Sequence, residues 1–263
     1  MRIVTDYAPA HTVEDFRRNL ATVQARIDAA AQAAGRDPVG VRLLPVSKTV
    51  EVDRLRNAVT AGCTWFGENK VQEAKRKHAE LSAVETIRSA HDAPGAGVKW
   101  SVIGHLQTNK AKDVASIADE FQALDSLRIA EALDRRLQLL GRGLDVFVQV
   151  NTSGEESKFG LPPGEVPAFI RELAPLSSLR VRGLMTLAAL SSDTDRVRGC
   201  FTLLRDLRDR VRDDDPELLG PGELSMGMSG DFELAIAEGS TCVRVGQAVF
   251  GARATPDTHY WPN

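Results

Sequence analysis

Lys48 follows an apolar run, Val41-Arg42-Leu43-Leu44-Pro45-Val46, with only Ser47 between them. An ammonium at the end of a buried strand is costly without a partner. Desolvation disfavours its charged form and frees a neutral amine able to attack a carbonyl. The competing readings are a lysine that snorkels to a rim or one that pairs with Glu68. Ser229-Gly230 stands directly before a short helical stretch at Asp231, and Gly246 follows another apolar run. Backbone N–H groups at a helix start suit an anion, and glycine permits close approach. The same residues would also serve as an ordinary helix cap and a turn. Arg244 lies between Val243 and Val245, where strand alternation turns it toward an interior. A buried guanidinium requires an acceptor, either a carboxylate on a neighbouring element or the ring nitrogen of a bound heterocycle.

Other polar residues at the ends of apolar runs are less specific. Asn69 fits a cap or a ligand contact equally, and Asp125 and Asn151 fit loop caps. Met185, Met226 and Met228 fit rim or core packing. His105 reads as a polar loop residue: the five histidines show no HExxH or other metal spacing. Asp231 occupies the place of the second glycine in a GxSxG elbow, which excludes a hydrolase nucleophile there. Cys63, Cys200 and Cys242 are odd in number, far apart and form no CxxC pair, as expected in a reducing compartment.

The elements that must position these residues are eight apolar runs separated by amphipathic stretches. The runs are Val41–Val46, Thr64–Phe66, Trp100–Ile103, Phe121–Leu124, Asp145–Val150, Val181–Leu187, Glu223–Met226 and Cys242–Val245. Helical spacing marks a first helix over Thr12 to Ala34, with Thr12 as N-cap and Gly35 as stop. It also marks Asp53–Ala61, Lys70–Leu81, Asn109–Ala118, Leu127–Leu140, Pro167–Leu173, Asp195–Val211 and Asp231–Glu238. Ser82 to Gly97, rich in Ala, Gly and Pro, is expected to be an exposed loop.

Strand and helix alternating eight times predict a parallel sheet covered by helices. An open doubly wound sheet also alternates but usually carries a Gly-rich phosphate turn, and no GxGxxG occurs. The expectation is an α/β protein: a single (β/α)₈ TIM barrel of residues 1–263 with an extra N-terminal helix. The length of 263 residues is close to the ~250 typical of such barrels. Active sites of closed barrels lie at the C-terminal ends of the strands, where Lys48, Asn69, Ser229 and Gly246 fall, and barrels often bind phosphate after strands seven and eight.

A net charge of −3 gives no broad basic surface for nucleic acid. No apolar run approaches the ~20 residues of a membrane span. Met1 to Ala10 lacks the apolar segment of a signal peptide, so a cytoplasmic location is expected, and the Asn151-Thr152-Ser153 sequon reads as chance.

Read together, these residues resemble the pyridoxal phosphate homeostasis protein family (the YggS/PROSC family). The matching segments are Leu44-Pro45-Val46-Ser47-Lys48-Thr49, Phe66-Gly67-Glu68-Asn69, Val71-Gln72-Glu73, Trp100 and Ile103–Lys110. Further matches are Gln149-Val150-Asn151, Arg182–Met185, Leu224–Ser229, Val243–Gly246 and Phe250-Gly251-Ala252-Arg253. The resemblance implies the barrel type of alanine racemase. It also implies pyridoxal 5′-phosphate (PLP) held as a Schiff base on Lys48. Ser229 and the backbone of Gly246 and Gln247 would cup the phosphate. Arg244 would face the pyridine nitrogen, and Asn69 and Met228 would line the cofactor. The family's role is to buffer PLP and deliver it to apo-enzymes, without robust catalysis.

Two positions depart from the family pattern. Lys70 stands where tyrosine is frequent, and Gln247 replaces a threonine whose hydroxyl can reach phosphate, leaving the backbone contact. An arginine at the ring nitrogen discourages ring protonation and mutes carbanion chemistry. No second domain is expected to supply the extra base of a racemase, so a monomeric carrier is favoured over a small PLP-dependent amino-acid racemase or a phosphate-binding barrel without PLP. Lys110 and Lys158 are candidates for a second PLP site.

Overall fold

The computed structural model describes residues 7–88 and 97–252, excluding the side chains of 83–88. Arg253 of the last matching segment and Met1 to Asp6 lie outside the described residues.

The chain opens with α1 (Val13–Ala33). A capping box starts it: Thr12 Oγ1 accepts from Asp15 N at 3.1 Å, and Asp15 Oδ2 accepts from Thr12 N at 3.0 Å. Its apolar stripe, Phe16, Val23, Ile27 and Ala31, is buried. There follow β1 (Arg42–Pro45), α2 (Val52–Thr60), β2 (Trp65–Glu68), α3 (Val71–Arg88) and β3 (Lys99–Val102). Next come α4 (Ala111–Ile117), β4 (Glu120–Leu124), α5 (Leu127–Leu140), β5 (Leu144–Val150) and α6 (Val166–Leu173). The chain continues through β6 (Leu179–Thr186), α7 (Thr194–Asp214), β7 (Glu223–Ser225), α8 (Phe232–Ala237), β8 (Cys242–Val245) and α9 (Gln247–Phe250).

All eight expected runs are strands of one parallel sheet in the order β1-β8-β7-β6-β5-β4-β3-β2. The seam between β1 and β2 is spanned by a bridge from Val46 to Gly67, with Ser47 N donating to Gly67 O at 2.9 Å. The sheet is therefore a nearly closed barrel.

One expectation about helices needs correction. The helix expected to stop at Leu81 continues to Arg88, so the first part of the Ser82 to Gly97 stretch is helix rather than loop; residues 89–96 lie outside the described residues. The physical reason is that no Gly or Pro occurs between Leu81 and Pro94, while Ala and Glu in that stretch favour helix. Nothing in the sequence marked α9, a single turn after β8 that is too short to show a helical period.

Apolar side chains outside the sheet form two buried clusters. One lies under α4 to α7; the other joins α1, α2 and α9 to Val243 and Val245. Phe16 of α1 meets Phe250 of α9 edge-on at 5.6 Å between ring centres. Burying such a side chain contributes roughly 1.5–3 kcal/mol, so α1 anchors the segment that follows β8. The interior of the barrel carries in addition a chain of polar side chains beside apolar ones such as Leu44, and that chain shapes the site.

Candidate functional site

The strand ends bring the candidate residues together. Val46 N donates to Val245 O at 2.9 Å, and Ser47 N to Gly67 O, so the Lys48 segment emerges between the ends of β8 and β2. Lys48 itself is half-buried there. Ala248 N, in α9, donates to Ser229 Oγ at 3.4 Å, which joins the loop after β7 to the turn after β8. Ser229, Met228, Gly246, Gln247 and Asn69 are all half-buried at this end of the barrel.

The turn after β7 is tightly built. Met228 N donates to Asp231 Oδ1 at 2.5 Å, and Asp231 N and Phe232 N return to Met228 O at 3.1 and 2.9 Å. Gly227 has φ +94°, and a Cβ there would sit 2.7 Å from Ala235 Cβ, so only glycine fits without a shift. Ser229 is thus not a helix cap: no side-chain capping bond starts α8. Burial raises the Asp231 carboxyl above its usual range, opposed by the Met228 N–H and the charge of Arg244.

Arg244 points into the barrel, as alternation predicted, and is 3 % exposed. Its Nη1 donates to Ser225 Oγ at 2.7 Å and its Nη2 to the Thr186 carbonyl at 2.7 Å. The expected alternative, a carboxylate partner in direct contact, is not found among the described residues; Asp231 and Glu120 act only at longer range. Burial pushes the guanidinium down from the usual arginine value, offset in part by neighbouring charges. Below it a chain of hydrogen bonds crosses the interior. Ser225 Oγ donates to Gln122 Oε1 at 2.7 Å, and Gln122 Nε2 to Glu120 Oε1 at 2.6 Å. Glu120 also accepts from Ser101 Oγ at 2.5 Å and pairs with Arg42 at 2.7 Å near the opposite end.

A second buried group braces the turn that carries Lys48. Glu68 Oε1 accepts from Ser47 Oγ at 2.5 Å and from Lys77 Nζ at 2.7 Å. Lys77 also donates to the Ser47 carbonyl at 2.7 Å and to Glu73 Oε1 at 2.6 Å. Glu73 in turn accepts from Thr49 N at 2.8 Å. Thr49 has φ +66°, a left-handed conformation that costs a β-branched residue roughly 1–2 kcal/mol, so the bonds around it fix an unfavourable turn beside Lys48. Burial raises the Glu68 carboxyl above its usual range, with Lys77 and Ser47 pulling it back.

Around the rim, Gly104 passes so close to the turn after β2 that a Cβ would lie 2.2 Å from Asn69 O, which explains the glycine and fixes Asn69. Asn151 caps its loop, as read from sequence: its Oδ1 accepts from Gly154 N at 3.1 Å. His105 stacks on Phe159 with ring centres 3.9 Å apart, and its Nδ1 lies 3.5 Å from Asp125 Oδ2. Lys158 Nζ is held by Ala188 O at 2.9 Å and Glu155 Oε1 at 3.1 Å. Among the described residues no three His, Cys, Asp or Glu side chains gather as a metal centre would require. No helix among them is long and apolar enough to cross a membrane.

Sequence reasoning missed Lys77, Glu73, Gln122 and Ser225. Lys77 had a signal: with Ala74 and Leu81 it falls on one face of α3, a cation in an apolar stripe. Glu120 and Gln122 likewise share the inward face of β4.

The family described as alanine racemase, N-terminal domain, matches residues 18–254. A protein of Pseudomonas aeruginosa named pyridoxal phosphate homeostasis protein is 42 % identical over 235 residues, covering 89 % of this chain and 94 % of the relative. The chain belongs to the pyridoxal phosphate homeostasis protein family. An Escherichia coli K12 member of that name is 38 % identical over 245 residues, covering 92 % of this chain and 98 % of its own. The solved structure of PipY from Synechococcus elongatus with PLP bound superposes with a TM-score of 0.75 at 33 % identity, covering 90 % of this chain and all of that one. Alanine racemase of Streptomyces coelicolor shares the fold, with a TM-score of 0.67 at 18 % identity over 97 % of this chain and 62 % of the racemase. The barrel architecture read from the alternating runs is thus that of the family.

Proposed function

We propose that this chain binds PLP and serves its homeostasis, holding the cofactor as a Schiff base on Lys48 and releasing it to apo-enzymes. The observation that carries this reading is the convergence of the Lys48 segment, the Ser229–Ala248 contact and the buried Arg244 at one end of the barrel. The donor set suits the molecule. A hydroxyl and backbone N–H groups at Gly246 and Gln247 match a phosphate, and a guanidinium with donors beyond the two already engaged matches a ring nitrogen. Asn69 and Met228 would complete the walls.

PLP supplies an aldehyde that exchanges amines reversibly. Lys48 would hold the group through its amine, with the aldehyde oxygen leaving as water, and hydrolysis or a competing amine would release it. Arg244 keeps its charge and, facing the ring nitrogen, would hold off a proton at that atom. The Glu68–Lys77 brace keeps the Lys48 turn fixed rather than free to sweep the mouth. These features suit storage and transfer over sustained turnover in a monomeric, cytoplasmic, single-domain carrier; the names of the relatives and the PLP in PipY support the PLP-binding and homeostasis part of this reading.

The test is transfer. Protein loaded with PLP and freed of excess should stay coloured, and mixing with a PLP-dependent apo-enzyme should restore that enzyme's activity as the colour leaves the carrier. A chain that retains no PLP after mixing with it would overturn the proposal.

A further inference from the structure

Tyr7 lies before α1, outside the barrel, yet it reaches the turn after β7. Its carbonyl accepts from Ala252 N at 2.8 Å, which lays the segment against the chain following α9. Its hydroxyl donates to the Ser229 carbonyl at 3.3 Å and accepts from Arg26 Nη1 at 3.4 Å. Arg26 is fixed from below: Nε and Nη2 bond Glu233 Oε1 at 2.7 and 2.6 Å, and its guanidinium lies 4.5 Å over the Phe232 ring. The Tyr7 hydroxyl therefore links Arg26 of α1 to one peptide group of the turn after β7.

That peptide is Ser229–Gly230. In a trans peptide the carbonyl and the following N–H point to opposite sides. A donor that holds the Ser229 oxygen toward Tyr7 turns the Gly230 N–H the other way. A loop peptide without such a restraint can rotate and present its oxygen, which repels an anion. We propose that Tyr7, braced by Arg26, is a positioning residue that sets the anion-binding polarity of the Ser229–Gly230 peptide and thereby the preference for phosphorylated over unphosphorylated B6 aldehydes. The inference rests on the reading of this site as the PLP phosphate cradle.

The experiment compares the full chain with Tyr7→Phe, which keeps the ring and removes only the hydroxyl. PLP and pyridoxal, which lacks the phosphate, are each titrated and followed by absorbance. Loss of one hydrogen bond's orienting effect predicts PLP binding weaker by about 3- to 10-fold. Pyridoxal binding and the thermal midpoint should stay as in wild type. Arg26→Lys, which keeps a cation for Glu233 but loses the fork, should shift PLP binding in the same direction. Unchanged PLP affinity in both variants, or equal weakening of PLP and pyridoxal, overturns the proposal while leaving PLP binding itself intact. A wild-type chain that binds neither compound overturns the cradle reading as well.

Discussion

Lys77 Nζ lies 2.7 Å from Glu68 Oε1, and both side chains are wholly excluded from solvent. An ion pair in such a place is held by its own geometry, because neither partner can turn to water. It is tied through Ser47 and Glu73 to the backbone on both sides of Lys48. Removing one partner strands the other. Lys77→Met should therefore lower unfolding stability by about 3–5 kcal/mol, measured by urea denaturation. Combining it with Glu68→Gln should recover a large part of that loss. A single-variant cost below about 1 kcal/mol would be too small for a stranded buried charge.

The Arg244–Ser225–Gln122 chain should behave as a unit. Ser225→Ala takes a partner from Arg244 and from Gln122 at once, at a cost of about 1–3 kcal/mol. Gln122→Ala removes the next link. A double-mutant cycle should show the two changes coupled by at least ~0.5 kcal/mol, whereas independent sites would add within that margin.

Asp231 predicts a pH dependence. Its folded-state carboxyl titrates above the ordinary value of 3.8 because it is buried. Between those two points the folded chain binds more protons than the unfolded one, so this group's contribution to stability falls as pH rises. Asp231→Asn should remove that slope while keeping an acceptor for Met228 N. Relative to wild type, the variant should gain stability as pH is raised from about 4 toward neutrality. A constant difference across that range would mean that the carboxyl titrates as it does in the unfolded chain.

Much of the frame was legible in the sequence. Eight runs such as Asp145–Val150 and Cys242–Val245 stood between amphipathic stretches, and each is a strand close to the expected bounds. The inward turn of Arg244 followed from alternation with Val243 and Val245. What stayed hidden depends on contacts across the barrel. Gln122 and Ser225 lie 103 positions apart, and nothing local to either announces the other. Lys77 carried only a local sign, its spacing with Ala74 and Leu81 on one face of α3, and nothing local names Glu68 as its partner. α9 is a single turn, below the length at which periodicity speaks. The helical reach of α3 past Leu81 was masked by the Gly and Pro that follow it.

The most direct measurement of the central claim is to incubate the chain with PLP, reduce it with borohydride, digest it and map the modified lysine by mass spectrometry. The account predicts the label on Lys48, with the visible absorption band lost on reduction and no label in the same peptide of Lys48→Ala. A label concentrated on Lys77, Lys110 or Lys158 in the wild-type chain, or an undiminished band in Lys48→Ala, would contradict it.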